Sequence, residues 1–257
     1  MDLDVQNHAR TRALRSDHHL RSGPFVLRHD PDWASPFANY AVPDDRAAPT
    51  PAEVSALIST FRGLDRRPRL EYLPSCAPQV EPALLAAGFT VENRAAVMAC
   101  SAETLIRAAA VADIRITEPT DDAGLLATAT VQHAGYGEPG EPGEPGPGEV
   151  AWLRGTVEGG GVVALATTAD VGGGVTAVAA GVCTPLVDGL SELAGVAVAA
   201  GFRRRGIGAM LSAQLTATAL DRGCRTVWLE PGEPGIGRIY ARIGYRTVGE
   251  KLNISLR

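Results

Sequence analysis

Residues 193–220 read Leu-Ala-Gly-Val-Ala-Val, then Ala-Ala-Gly-Phe-Arg-Arg-Arg-Gly-Ile-Gly, then Ala-Met-Leu-Ser-Ala-Gln-Leu-Thr-Ala-Thr-Ala-Leu. The stretch parses as a strand, a basic turn carrying glycines, and a helix. Val196 and Val198 are β-branched and alternate, which suits a short apolar strand. Arg203, Arg204 and Arg205 fill the turn, and Gly206 and Gly208 follow at once. Ile207, Met210, Leu211, Leu215 and Leu220 recur close to helical spacing, and Gly223 closes the helix.

Such a junction is built for an anion. The first-turn N–H groups of a helix have no partner inside it, and its dipole places partial positive charge there. A pyrophosphate accepts those N–H groups. Gly206 and Gly208 let the backbone approach phosphate oxygens with no side chain in between. The three arginines add fixed positive charge.

The spacing Arg203-x-x-Gly206-x-Gly208, with its strand before and helix after, resembles the coenzyme A pyrophosphate signature of the GNAT superfamily of N-acyltransferases. The resemblance implies an α+β fold built on a mixed sheet. It implies acetyl-CoA as co-substrate, no metal, and acyl transfer to a primary amine by direct attack in a ternary complex. It places the cofactor against Val196, Ala197 and Val198 of the strand, then Arg203, Arg204, Arg205, Gly206, Ile207, Gly208 and Ala209 of the turn and helix start. In this family the strand is bulged and splays from its neighbour, so pantetheine pairs with its free backbone groups and an N–H polarises the acyl carbonyl. Gly195 fits such an irregularity.

The rest of the chain bounds this reading. Its 257 residues suit one large domain or two small ones, and the net charge of −5 gives no support to nucleic-acid binding. No apolar run approaches the ~20 residues of a membrane span, and the acidic start Met1-Asp2-Leu3-Asp4 lacks a signal-peptide block, so a cytoplasmic protein without membrane partners is expected. Cys76, Cys100, Cys183 and Cys224 are scattered and read as buried reduced thiols rather than a disulfide framework or zinc site. His8, His18 and His19 lack acidic or cysteine partners at ligand spacing and read as surface groups.

In chain order, strands are expected near 24–27, 37–42, 70–73 and 90–100, with helices over 51–61 and 80–87. Helix, strand, helix, Gly-aromatic and strand then recur. Arg69-Leu70-Glu71-Tyr72-Leu73 aligns with Arg225-Thr226-Val227-Trp228-Leu229, and Gly88-Phe89 with Gly244-Tyr245, both 156 residues apart. The counterpart of the basic turn falls near Ala47–Pro51, which has neither arginine cluster nor glycines. The sequence therefore divides into a degenerate GNAT-like unit, 1–112, and an N-acetyltransferase unit, 113–257. The first is expected to bind no pyrophosphate, and to complete the fold, wall the substrate site or mediate dimerisation; monomer and homodimer both stay open.

Residues 101–112 read as a linking helix. The second unit opens with a strand at 114–116 and a helix after Thr120-Asp121-Asp122. Gly135 to Gly148 repeats Glu-Pro-Gly at Glu138, Glu141 and Glu144 and reads as an exposed acidic loop. It either steers a cationic amine or is an inert insertion. A helix over 150–157, a hairpin of 162–168 and 175–184, strands at 191–198 and 226–230, a helix over 236–243 and a closing strand at 247–256 complete an order matching the GNAT topology.

Ile239-Tyr240 before Gly244-Tyr245 resembles the family's Leu-Tyr-x-x-x-Gly-Phe segment. The resemblance makes Tyr240 the proton donor to the leaving thiolate; the first copy has Leu84 there. The sequence departs from the family where an Asn commonly stands seven residues before this tyrosine and an Ala four before, since Glu233 and Ile236 occupy these places. Glu192 and Glu230, at strand ends, are candidates for the general base and equally for surface charges. The acceptor amine is not encoded in any pattern. A non-catalytic acyl-CoA-binding sensor or interaction module on the same fold is the alternative.

Overall fold

A computed structural model describes residues 1–136, 143–169, 173–232 and 235–257. Glu138, Glu141, the 170–172 part of the hairpin turn, and Glu233 lie outside them. The chain runs α1 (Asp2–Leu14), β1 (His19–Ser22), β2 (Phe25–Arg28), β3 (Tyr40–Pro43), α2 (Pro51–Gly63), β4 (Arg69–Tyr72), α3 (Val80–Ala86) and β5 (Thr90–Cys100). It continues with β6 (Ile114–Thr117), α4 (Asp122–Tyr136), α5 (Pro147–Glu158), β7 (Val162–Ala169), β8 (Val175–Cys183), β9 (Leu190–Val198), α6 (Ile207–Asp221), β10 (Thr226–Leu229), α7 (Gly237–Arg242) and β11 (Arg246–Ser255).

Packing divides the chain into two units: Met1–Val97 with Glu230–Pro234 and Thr247–Arg257, and Met98–Leu229 with Gly235–Arg246. In the first, β1 pairs with β2, β2 with β3 and β4 with β11, all antiparallel, while β3 meets β4 in parallel. Phe25, Leu27, Leu57, Phe61, Leu70, Tyr72, Leu84, Leu252 and Ile254 form its main core. In the second, β6–β7, β7–β8 and β8–β9 are antiparallel, β9–β10 parallel, and β10 pairs with Met98–Cys100 of β5. The main core here joins α6 and α7 to the sheet through Ile207, Leu211, Leu215, Val227, Leu229, Tyr240 and Tyr245. The result is the expected mixed sheet with helices.

The repeat read in the sequence is visible in the elements. Pro51 opens α2 and Ile207 opens α6, and Thr90 opens β5 and Arg246 opens β11; both pairs are 156 residues apart. The last strand of each copy pairs with the penultimate strand of the other, β11 with β4 and β5 with β10. Sequence order alone says nothing of this exchange.

Several expectations need correction. Residues 101–112 form no helix. A turn at Ser101 takes the N–H groups of Thr104 and Leu105, and Ile106 N–H then donates to Ile243 O at 3.0 Å. Leu105, Ala108 and Val111 still pack on the core; their spacing of three fits an extended strap of three residues per turn as well as a helix. Both ends of the segment expected as loop, Gly135 to Gly148, are helical, because α4 continues to Tyr136 and α5 opens at Pro147. Gly135 is a contact glycine: a Cβ there would lie 2.6 Å from Ala197 Cβ. His8 is on the buried side of α1 rather than exposed. The strand expected at 37–42 begins at Tyr40, and Phe37 is exposed. All four cysteines are buried and free, as expected.

Candidate functional site

The site lies in the second unit, where β9 outruns its neighbour. Parallel pairing with β10 covers only Leu190, Ser191 and Glu192, opposite Thr226, Val227 and Trp228. On its other side β9 stays paired with β8, but the register slips. Ala194 faces Val182 and Ala197 faces Ala180, so Gly195 and Val196 stand opposite the single residue Gly181. That is a β-bulge, one extra residue that locally frees the ladder. Gly195 has φ +60°, the left-handed region a side chain resists.

Beyond Val198 the chain makes a 3₁₀ turn over Ala200–Phe202 and enters the arginine turn. Arg204 is held at φ 63° and Gly206 at φ 84°. Gly206 is the N-cap of α6 and supplies no side-chain acceptor; the first turn contains no acid. Arg203 Nε donates to Val198 O at 3.0 Å, pinning the turn to the strand end. The Arg205 guanidinium stacks over Phe202, 5.3 Å from the ring centre. Arg203, Arg204 and Arg205 are exposed and make no ion pair among the described residues. Three cations beside the positive end of a helix dipole repel it unless an anion joins them. A Cβ at Gly208 would only touch Val198 Cγ2 at 3.4 Å, so glycine there relieves no clash within the protein and instead leaves the backbone bare on the turn. Ile207 is buried and Ala209 half-buried against the core, so both can reach a ligand only through backbone.

The first copy shows the contrast. Thr50, the N-cap of α2, accepts Glu53 N–H through Oγ1, while Glu53 Oε2 accepts Thr50 N–H at 2.7 Å. This capping box satisfies the N-cap and N3 N–H groups from within, and Pro51 has no N–H to offer, whereas α6 has no side-chain cap. The signal was legible as Thr50-x-x-Glu53 and was missed.

Tyr240 on α7 sits in the same core cluster as Ile207 and Leu211, with Val196 and Val198 packed on its edge. Its ring meets Tyr245 edge-on at 5.8 Å. Burial pushes the Tyr240 phenol well above its ordinary value, Tyr136 adds to this, and the Ser212 hydroxyl of α6 acts the other way. Tyr240 is therefore a phenol, not a phenolate, at neutral pH. Tyr245 is fixed by Thr216 Oγ1 at 2.7 Å.

The two glutamates differ. Glu192 is half-buried on β9, and its backbone exchanges two 2.9 Å hydrogen bonds with Thr184. Glu230 packs with the first unit, and both its oxygens are engaged, by Asn253 Nδ2 at 2.8 Å and Lys251 Nζ at 2.9 Å. Both oxygens are thereby committed to structural contacts. Sequence reasoning missed the two side chains of α4 that reach the bulge. Gln132 Nε2 donates to Gly195 O at 2.9 Å, and the Tyr136 hydroxyl donates to Val196 O at 3.3 Å.

Residues 140–245 match the family model described as the acetyltransferase (GNAT) family. Over those residues the chain is similar to that family. That match covers less than half of the chain, and the whole of it is reached by solved structures. One is a GCN5-related N-acetyltransferase from Kribbella flavida, 24% identical with a TM-score of 0.79, covering 99% of this chain and 95% of that one. Another is a GCN5-related N-acetyltransferase from Sphaerobacter thermophilus, 16% identical with a TM-score of 0.66, covering 99% and 88%. A tandem GNAT protein from the clavulanic acid biosynthesis pathway is 13% identical with a TM-score of 0.57, covering 91% and 80%. At these identities the GNAT resemblance to solved structures is one of fold. Comparison with curated proteins gave no match. Among the described residues no group of His, Cys, Asp and Glu is placed to hold a metal ion, and no helix is long and apolar enough to cross a membrane.

Proposed function

We propose that the GNAT domain transfers an acetyl group from acetyl-CoA to a primary amine by direct attack in a ternary complex. One observation carries the reading: an uncapped, arginine-flanked helix N-terminus directly follows a bulged strand whose partner has ended. The bare N–H groups at Ile207, Gly208 and Ala209, with Arg203, Arg204 and Arg205, hold the diphosphate. Val196, Ala197 and Val198 offer backbone to the pantetheine arm as an added strand would. The amine nitrogen attacks the acyl carbon, the carbon–sulfur bond breaks, and Tyr240 gives its proton to the departing thiolate. Glu192 takes the proton released by nitrogen through water. The engaged carboxylate of Glu230 makes it a structural group in this scheme.

Tyr240→Phe keeps the packing and removes the proton. Turnover is expected to fall roughly a hundredfold while acetyl-CoA affinity changes little, as for loss of a general acid. Free-thiol release across an amine panel, with calorimetry of acetyl-CoA, reads both; full turnover in the variant removes Tyr240 from the chemistry. The raised phenol also sets the pH profile. A group protonated well above pH 10 cannot produce an alkaline fall in kcat at lower pH. No fall assignable to Tyr240 is expected below about pH 10, so a limb near pH 8 that vanishes in Tyr240→Phe would contradict the assignment.

One observation favours a second reading, an acyl-CoA sensor without turnover: the Glu230 carboxylate is already committed to Lys251 and Asn253. Thermal stabilisation by acetyl-CoA with no thiol released from any amine selects it.

A further inference from the structure

The last turn of α4 grips the bulge of β9 at three successive residues. Gln132, buried at 9% exposure, spends its amide on Gly195 O. Its Nε2 occupies the space a side chain at 195 would need: a Cβ there would lie 2.3 Å from it. Gly135 brings the helix down onto Ala197. Tyr136 then places its hydroxyl on Val196 O. These two carbonyls belong to the consecutive peptides Gly195–Val196 and Val196–Ala197, the part of β9 where the register slips past Gly181.

A carbonyl in a bulge is not fixed by a regular ladder, so its peptide plane is free to rotate unless another donor holds it. A trans peptide points N–H opposite to C=O, so a donor on the oxygen also fixes where the hydrogen points. In a partly buried site it also strengthens that N–H as a donor, because bonded dipoles polarise one another. Burying an amide side chain costs stability unless it is bonded, and Gln132 directs its donor at the bulge rather than at its own helix.

We propose that Gln132 and Tyr136 are positioning residues for acyl transfer, fixing through the Gly195 and Val196 carbonyls the two bulge peptides against which the thioester lies. The proposal rests on the acetyl-CoA reading given above. Neither residue exchanges a proton with substrate; both act through the backbone of β9. The phenol of Tyr136 also lies close enough to raise that of Tyr240, which places α4 beside the proton donor.

Two variants test it in the full chain, Gln132→Met and Tyr136→Phe. Each removes a donor and keeps most of the volume. We expect kcat to fall roughly tenfold in Gln132→Met and about threefold in Tyr136→Phe, the scale of one hydrogen bond that orients a transition-state donor. Calorimetric affinity for coenzyme A itself, which lacks the acetyl group, stays within about twofold, since the pyrophosphate turn is untouched. Backbone amide resonances of Val196 and Ala197 shift in both variants without ligand, and a purely structural role would not separate kcat from coenzyme A affinity in this way. Unchanged kcat in both folded variants overturns the proposal, as does an equal loss of coenzyme A affinity. Tyr136 is exposed, so if Gln132→Met does not fold, Tyr136→Phe decides alone. Failure of the underlying reading looks different: the unmodified protein then releases no thiol and binds no coenzyme A, and the positioning role falls with it.

Discussion

Replacing Gly206 by aspartate is expected to lower acetyl-CoA affinity by at least about a hundredfold, while the protein stays folded. Three effects add. Gly206 sits at φ 84° with open space around its Cα, the nearest atom to an added Cβ being Val111 Cγ2 at 3.7 Å. Aspartate tolerates the left-handed region better than most residues, so the strain is about 1 kcal/mol or less. As an N-cap its carboxylate accepts the N–H groups meant for the diphosphate. Its charge then opposes the ligand in the field that Arg203, Arg204 and Arg205 create. Gly206→Ala separates strain from charge and should lose far less affinity. Calorimetry with acetyl-CoA reads both, and equal affinity of Gly206→Asp and the unmodified protein would remove the diphosphate from this turn.

The second large effect concerns stability, in the first unit. Glu71 is buried between Arg69 and Lys251, which both contact its carboxylate; Arg69 also pairs with Glu92 at 2.8 Å and Lys251 with Glu230 at 2.9 Å. Burial alone would raise the Glu71 carboxyl, but Lys251 and Arg69 outweigh it and hold it below the ordinary carboxylate range. Glu71→Leu leaves two buried cations short of a partner and is expected to cost about 3–5 kcal/mol in chemical denaturation. The pH dependence follows in sign. A carboxyl lowered by folding stabilises the fold above its unfolded value, near 4.3, and that stability is lost as pH falls through the folded value. The unmodified protein should therefore lose stability on acidification below about pH 4, and Glu71→Leu should lose less of what it has left. A loss under about 1 kcal/mol would mean that the cluster behaves as a solvated surface network.

Much of the fold was legible because the signals were local. The alternation of Val196 and Val198, the apolar spacing from Ile207 to Leu220 and the shared 156-residue offset of Arg69/Arg225 and Gly88/Gly244 depend on neighbours in sequence. What failed depended on partners far along the chain. Gly135 reads as loop because its reason for being glycine is Ala197 across the packing surface. Residues 101–112 read as helix because nothing in them announces that Ile243 O awaits Ile106 N–H. Glu230 reads as a strand-end carboxylate until Lys251 and Asn253 are seen against it. Gln132 offers no pattern at all, since an interior glutamine in a helix gains meaning only from the bulge it meets.

The site was half-legible for the same reason. The arginine turn and its glycines form a contiguous motif, and the structure gives them the bare helix start that the motif requires. The two copies differ physically as well as in sequence at their helix starts. Thr50 and Glu53 close the start of α2 from within, whereas Gly206 leaves α6 open. An open helix start beside three guanidiniums that make no ion pair among the described residues costs stability, which a bound anion would offset.

The most direct test is to titrate isotopically labelled protein with acetyl-CoA and follow every backbone amide by NMR. The largest shifts are expected at Gly206, Ile207 and Gly208, with a second set at Val196–Val198, while the amides of Thr50–Glu53 stay still. Shifts centred on α2, or anywhere that spares Gly206–Gly208, would contradict the placement of the diphosphate at this turn.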